Sequence, residues 1–326
     1  MGHVLSRRRR LLGIAAAGLA ASAFACSAIL GIDEKPLRAE ADASTLADAA
    51  DAADASAEAT CDPSAVVGCG GACPHDFCDD FDGDGQAPAT RWKPPAGFEN
   101  PIIQGDSGVS LTTPGNTPPT SLLASTSSTG STSFSILVDQ LTLADRHAGK
   151  TFDGVRVAID LRVDALTFTG KGGPVEDAGA ATVLGLLRPD SFPPKGIAIV
   201  LTGRSVHLDV SEDVLGVSGT EIVADINSSL DTSKVLNNWV RIELFVGDRE
   251  RAVREHFDKC ASVAPGLVAA AALGGKVLGE ACVPVPAGFG PPTWAETPAF
   301  LVGGLLFAAG RASFRIDNAV ADFYEK

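Results

Sequence analysis

Aromatic residues are scarce in this chain: one tyrosine and three tryptophans in 326 residues, and 6% aromatic overall. The stacking surfaces on which sugars and bases are usually held are correspondingly few. Basic residues are also short, with 26 Lys and Arg against 40 Asp and Glu and a net charge of −14. That balance argues against a nucleic-acid partner, whose phosphates require Lys and Arg. Beyond residue 25 no apolar run approaches the ~18 residues of a membrane-spanning helix. The longest, Leu267 to Leu273, is far too short. The chain has 45% apolar residues, enough to bury a core, which excludes a wholly disordered protein. Its 35 glycines and 20 prolines predict a turn-rich fold rather than a long helical bundle.

Residues 1–25 read as an export signal. Arg7 to Arg10 form a positive head, and Leu11 to Ala25 is a largely apolar stretch of fifteen residues. As a helix it would rise about 22 Å, short of the ~30 Å bilayer core. The sequence Ala23-Phe24-Ala25-Cys26 resembles the lipobox of bacterial lipoproteins. That resemblance implies that Cys26 is lipidated and becomes the mature N-terminus. Ala23 and Phe24 depart from the family pattern, and cleavage by an ordinary signal peptidase is the alternative. The arginine run followed by Leu11-Leu12 also resembles a twin-arginine signal, so the export route stays open between that and the general secretory path. Residues 26–60 read as a disordered tether: from Ala39 to Thr60, eleven of 22 residues are alanine, six are acidic and none is basic. Such a segment has no apolar stripe to pack and repels itself, as a solvated leash should.

Six further cysteines remain: Cys61, Cys69, Cys73, Cys78, Cys260 and Cys282. An even number in an exported chain argues for three disulfides. The simplest partition pairs Cys260 with Cys282 and leaves the first four among themselves. Zinc held by Cys69, Cys73, His75 and Cys78 is the competing reading, but the paired CxxC spacing of such sites is missing.

Residues 61–75 form a cysteine-rich lead-in, and 76–326 the body. There Val155, Val157, Ile159, Leu161 and Val163 alternate with Arg156, Ala158, Asp160, Arg162 and Asp164. One oily and one polar face is the mark of a half-solvated antiparallel strand. Val240 to Val246 repeats the pattern, and 197–210 reads as a hairpin through Thr202-Gly203-Arg204. Phe134 to Val138, Val183 to Leu187, Glu221 to Ile226 and Ala312 to Ala321 are further strand candidates. Arg249 to Lys259 is the one candidate helix. It opens a segment, about 249–296, that reads as an insertion pinned by its own disulfide, with Leu267 to Leu273 packed back on the body. The fold class is therefore all-β, an antiparallel β-sandwich.

Phe77-Cys78-Asp79-Asp80-Phe81-Asp82, Ser121 to Ala124, Trp239 to Glu243 and Ile316 to Val320 occur in the order of features seen in concanavalin A-like lectin/glucanase domains. The body resembles those laminin-G-like jelly rolls. The resemblance implies a closing strand that pairs near the first. It also implies a structural calcium ion, here at Asp80, Asp82 and Asp84 with Asp317 recruited from the last strand. Asp80 to Gly85 matches the DxDxDG opening of a calcium loop, though Arg91 stands where an EF-hand needs glutamate.

No complete catalytic set is apparent. His207-Leu208-Asp209-Val210-Ser211-Glu212 is the nearest match to the ExDxxE motif of the glucanases, but histidine replaces the nucleophilic carboxylate. Alginate-lyase-like jelly rolls use a tyrosine with histidine and arginine, and the single Tyr324 lies almost at the end of the sequence. Gly105-Asp106-Ser107-Gly108 reads as a turn, since no base accompanies the serine. Trp294 and Phe289 are the candidate sugar-contacting residues. Two functions are consistent with this sequence. One is a surface-tethered, non-catalytic lipoprotein with a lectin-like domain for a glycan or other cell-surface ligand. The other is a structural lipoprotein of the envelope without a small ligand, and a polysaccharide-active enzyme ranks third. The expected location is the cell envelope, at the outer membrane or cell surface, anchored through Cys26.

Overall fold

A computed structural model describes residues 69, 75–82, 90–95, 99–117, 120–129, 132–141, 149–170, 173–174, 179–188, 195–203, 205–211, 221–227, 235–286 and 298–326. The signal segment, the tether, Cys26, Cys61, Cys73, Asp84, Phe289 and Trp294 lie outside them.

In chain order the strands are β1 (Phe77–Asp79), β2 (Ile102–Gln104), β3 (Gly108–Thr112), β4 (Ser121–Ser128), β5 (Ser133–Gln140) and β6 (Phe152–Gly170). They continue as β7 (Gly173–Pro174), β8 (Ala180–Leu187), β9 (Gly196–Thr202), β10 (Val206–Ser211), β11 (Glu221–Asn227) and β12 (Trp239–Asp248). After the helix α1 (Arg249–Arg254) and a 3-10 turn at Asp258–Ser262 come β13 (Leu267–Leu273), β14 (Gly279–Pro284), β15 (Ala299–Leu306) and β16 (Gly310–Glu325). Among the described residues no helix is long and apolar enough to cross a membrane.

The strands form two antiparallel sheets packed as a sandwich, the jelly-roll architecture that the alternation and the resemblance lead one to expect. Sheet A runs β14-β13-β12-β6-β16-β4-β3, and sheet B runs β11-β10-β9-β8-β15-β5-β2. The odd-numbered residues Val155 to Val163 of β6 lie in the main core with Val240, Ile242, Leu244 and Val246 of β12. From β16, Phe314, Ile316, Ala319, Ala321 and Phe323 join them, the switch from even to odd marking a bulge at Asp317–Asn318. Beyond the bulge, the edge of β16 not used by β6 passes from β4 to β1: Gly310–Ile316 pairs with β4, and Ala319–Ala321 pairs with β1. The closing strand thus pairs beside the first, as in the family the sequence resembles.

Two readings need correcting. The first strand is expected to run through Asp82 but ends at Asp79, because Phe81 takes φ +56° and the Asp79 carboxylate accepts the Phe81 N–H at 3.0 Å. Leu267 to Leu273 does not pack back as part of an insertion. It is β13, hydrogen-bonded along the whole edge of β12, with β14 outside it. Ala269, Ala271 and Leu273 face the main core. Val268, Ala270 and Ala272 face a second cluster with Phe245, Ala252 and Phe257, roofed by α1 and the 3-10 turn. Burial on both faces explains why the run shows no alternation.

Candidate functional site

The outer face of sheet A gathers the charged residues of the alternating strands, in two neighbouring groups. In the first, register sets Arg241 of β12 opposite Asp160 of β6, and Asp160 opposite Asp317 of β16. Arg241 donates to Asp160 Oδ1 at 3.2 Å and to the Asn318 carbonyl at 3.0 Å. Asp160 Oδ2 accepts from Asn318 Nδ2 at 2.8 Å and from Asn116 Nδ2 at 2.9 Å. Asp317 accepts the Thr117 N–H and hydroxyl at 2.8 and 3.1 Å and the Asn318 N–H at 2.8 Å. The segment leading from β3 towards β4 is thereby tied down over the sheet. Arg315 adds a bond to the Thr113 carbonyl at 2.9 Å, and Asp82 accepts the Thr120 N–H at 2.7 Å. Asp317 is fully buried, and burial pushes its carboxyl up to about 6 against the hydrogen bonds that favour its charge.

The second group lies further along β16. Asp322 grips His75 Nδ1 at 2.9 and 3.0 Å, and Arg156, in register with Asp322, is ion-paired with Glu243 of β12. Tyr324, two residues beyond Asp322, presents its ring to Arg251 at 5.4 Å and packs with Phe245. Arg251 continues to Asp153 at 2.6 Å, and Arg254 reaches the same carboxylate at 3.1 Å.

Tyrosine, arginine and histidine, the residue types that the lyase resemblance calls for, are therefore all on this one face. Sequence position alone hid this, because Tyr324 and His75 are nearly 250 residues apart and become neighbours only through the pairing of β1 and β16. Their state is unsuited to proton abstraction. Tyr324 is buried at 8% exposure, and burial pushes its phenol upward despite the opposing charge of Arg156. Burial works against the charge on Arg156, but the Glu243 carboxylate outweighs it and holds the guanidinium firmly protonated. The arginines of this group are paired with carboxylates, and Arg254 alone of them is largely exposed.

Of the expected calcium ligands Asp84 lies outside the described residues, and Asp80, Asp82 and Asp317 are each engaged by protein donors. Asp80 accepts the Asp82 N–H at 3.2 Å and faces Arg91 at 3.9 Å, while Asp82 and Asp317 take the separate donors named above. The Asp80 bond closes a turn, while those of Asp82 and Asp317 tie distant segments together. No group of three acidic, cysteine or histidine residues suited to a metal occurs among the described residues. Cys260 is bonded to Cys282 with Cα atoms 5.2 Å apart, and Cys69 to Cys78 at 5.5 Å. Ser107 lies in the turn between β2 and β3 and donates to the Gln104 carbonyl at 2.9 Å, as a turn residue would. Trp239 begins β12. Trp92 is buried at 2% exposure among Phe77, Phe81 and Phe300, its indole N–H given to Asp79 at 2.8 Å.

No protein-family model matches this chain, and no curated protein does. Among solved structures it is similar to an endo-β-1,4-glucuronan lyase from the fungus Trichoderma reesei, at 9% identity and a TM-score of 0.47, over 76% of this chain and 95% of that one. It is similar also to a family 7 alginate lyase, at 12% identity and a TM-score of 0.37, over 63% and 79%. A third is the binding domain of botulinum neurotoxin DC, at 8% identity and a TM-score of 0.39, over 71% of this chain and 45% of that one. At such identities the likeness is one of fold, and the two antiparallel sheets described above are what establish it.

Proposed function

We propose that the chain is an exported, lipid-anchored sandwich module that engages a glycan or another envelope ligand without cleaving the glycan chain. The observation that carries the non-cleaving part is the closure of the sheet A face. Its tyrosine is buried, its arginines are paired with carboxylates, and a tied-down segment covers Asp160 and Asp317. A lyase must admit a polymer to an ionisable tyrosine or its equivalent, and this face spends its charges internally. The lectin-like reading is supported by an architecture common among lectins and by the signal and tether in the sequence.

The test is a glycan array probed with the full chain, run beside an assay for unsaturated products on glucuronan and alginate. Saturable binding to a defined glycan with no unsaturated product supports the proposal. Release of unsaturated product, abolished by Tyr324→Phe, would overturn it. Absence of binding across the array favours the structural envelope role.

A further inference from the structure

Sheet B carries a second polar constellation, far from aromatic residues and unconnected with the face just described. The hairpin from β9 to β10 closes at Thr202 and Ser205. The Thr202 N–H donates to the Ser205 carbonyl at 2.9 Å, and the Ser205 N–H donates to Thr202 Oγ1 at 3.1 Å. That turn fixes the Ser205 backbone. Two residues on, His207 points to the same side of the strand, as period-two geometry requires. Its Nε2 lies 2.5 Å from Ser205 Oγ. On the adjacent strand Asp225 is in direct register with His207, and its Oδ1 lies 2.7 Å from Nδ1, close but off the N–H axis. The imidazole is one-fifth exposed and Asp225 half exposed, with Val206 and Leu208 anchoring the strand in the core.

The order of groups matters more than their presence. A carboxylate beside Nδ1 favours the tautomer with its proton on that nitrogen. With that tautomer the lone pair of Nε2 faces the serine hydroxyl and can accept its proton, and Ser205 Oγ lies also 2.8 Å from Thr202 Oγ1. Polar residues on a strand face pair often, but two such pairings in succession, hydroxyl to imidazole and imidazole to carboxylate, provide a base for the hydroxyl and an orienting group for the base. Sequence reading missed this because Asp225 is eighteen residues from His207, and only the β10–β11 register unites them.

We propose that Ser205, His207 and Asp225 form a nucleophilic relay that hydrolyses an acyl ester. Ser205 Oγ attacks the carbonyl carbon while its proton passes to His207 Nε2. The bond from that carbon to the alcohol oxygen then breaks, and the leaving alkoxide takes the proton from Nε2. Water attacks the resulting acyl-serine, giving a proton to Nε2, and collapse of the adduct returns that proton to Ser205 and releases a carboxylic acid. The substrate class is a small acyl group borne on a larger molecule. The relay stands at the end of a hairpin with Ser205 and His207 partly exposed, so that a carrier can stay outside and only the ester must reach Ser205. The inference goes beyond the binding role proposed above and does not depend on it.

The test uses the full chain and an alkyl fluorophosphonate, with peptide mass spectrometry to locate the adduct and p-nitrophenyl acetate to follow turnover. The expected result is a single adduct on Ser205, absent in Ser205→Ala. Labelling and turnover should fall about 100-fold or more in His207→Gln, and by a smaller factor in Asp225→Asn. Thermal melting of each variant checks that the fold is retained. The unaltered protein supplies the decisive reading on its own. If Ser205 takes up no more label than Ser107, or if labelling is unchanged in His207→Gln, the relay is overturned.

Discussion

Asp317 is a carboxylate sealed under a covering segment, and its pH behaviour follows from that. Its folded value, raised from 3.8 to about 6, means that the folded state holds the proton more tightly than the unfolded chain. Its contribution to stability is therefore greatest below about pH 4, declines as pH rises towards 6, and is constant above. At about 1.4 kcal/mol per pKa unit the full swing is on the order of 3 kcal/mol. We expect the stability difference between the parent and Asp317→Asn, measured by urea unfolding, to change by most of that amount between pH 4 and pH 7. A difference that is flat with pH would show that Asp317 is ionised without penalty. Trp92 supplies a second expectation at this scale. It fills the core beside three phenylalanines and satisfies the buried Asp79. Trp92→Ala should cost about 3–5 kcal/mol in the same measurement, through the cavity and the abandoned carboxylate. Neither role was legible in the sequence, where Asp317 reads as a calcium ligand on the last strand and nothing links Trp92 to Asp79. Both depend on partners brought from more than ten residues away.

Strands that alternate were legible, whereas β13 and β15, which do not, were missed, for a common physical reason. β6, β10 and β12 each have one core face and one polar face, so the period of two survives in the residue types. In β15 every residue from Ala299 to Leu306 is buried, because Val302 and Leu306 face the main core while Leu301 and Leu305 lie in a second apolar cluster on the other side of sheet B. A strand buried twice loses the signal. β15 also shows where backbone freedom is indispensable. Gly303 has φ +135°, and a Cβ there would strike the Ser135 carbonyl of β5. We expect Gly303→Ala to lower the melting temperature by several degrees, corresponding to more than about 1 kcal/mol. An unchanged melting temperature would mean that β5 yields without cost. The bond between Cys260 and Cys282 ties the 3-10 turn to β14, at the rim of sheet A. Replacing both cysteines by alanine should destabilise the fold by roughly 3 kcal/mol, as expected for closing a loop of this length. Glu280 accepting the Lys259 N–H at 2.9 Å would remain to hold the turn.

On the scale of the whole molecule the proposed lipid anchor can be tested apart from the sandwich. If the anchor is at Cys26, Cys26→Ala should move the protein from the membrane fraction into the soluble one, read by sedimentation and blotting. A variant that still sediments like the parent would refute the anchor. The body also has a definite order of assembly. The centre of sheet A is β16, which pairs with β6 on one side and with β4 and β1 on the other. It is the last of the described strands in chain order, yet among the described residues the first strand, β1, has no other strand partner. While the ribosome is still translating, then, the nascent polypeptide has a gap in the middle of its sheet, and the strands flanking that gap have nothing to zip against. Folding must wait for translation of β16. A chain interrupted before Gly310 would present the unpaired edges of β4 and β6 to a protease, so that in this molecule the topology itself tests whether β16 has been made.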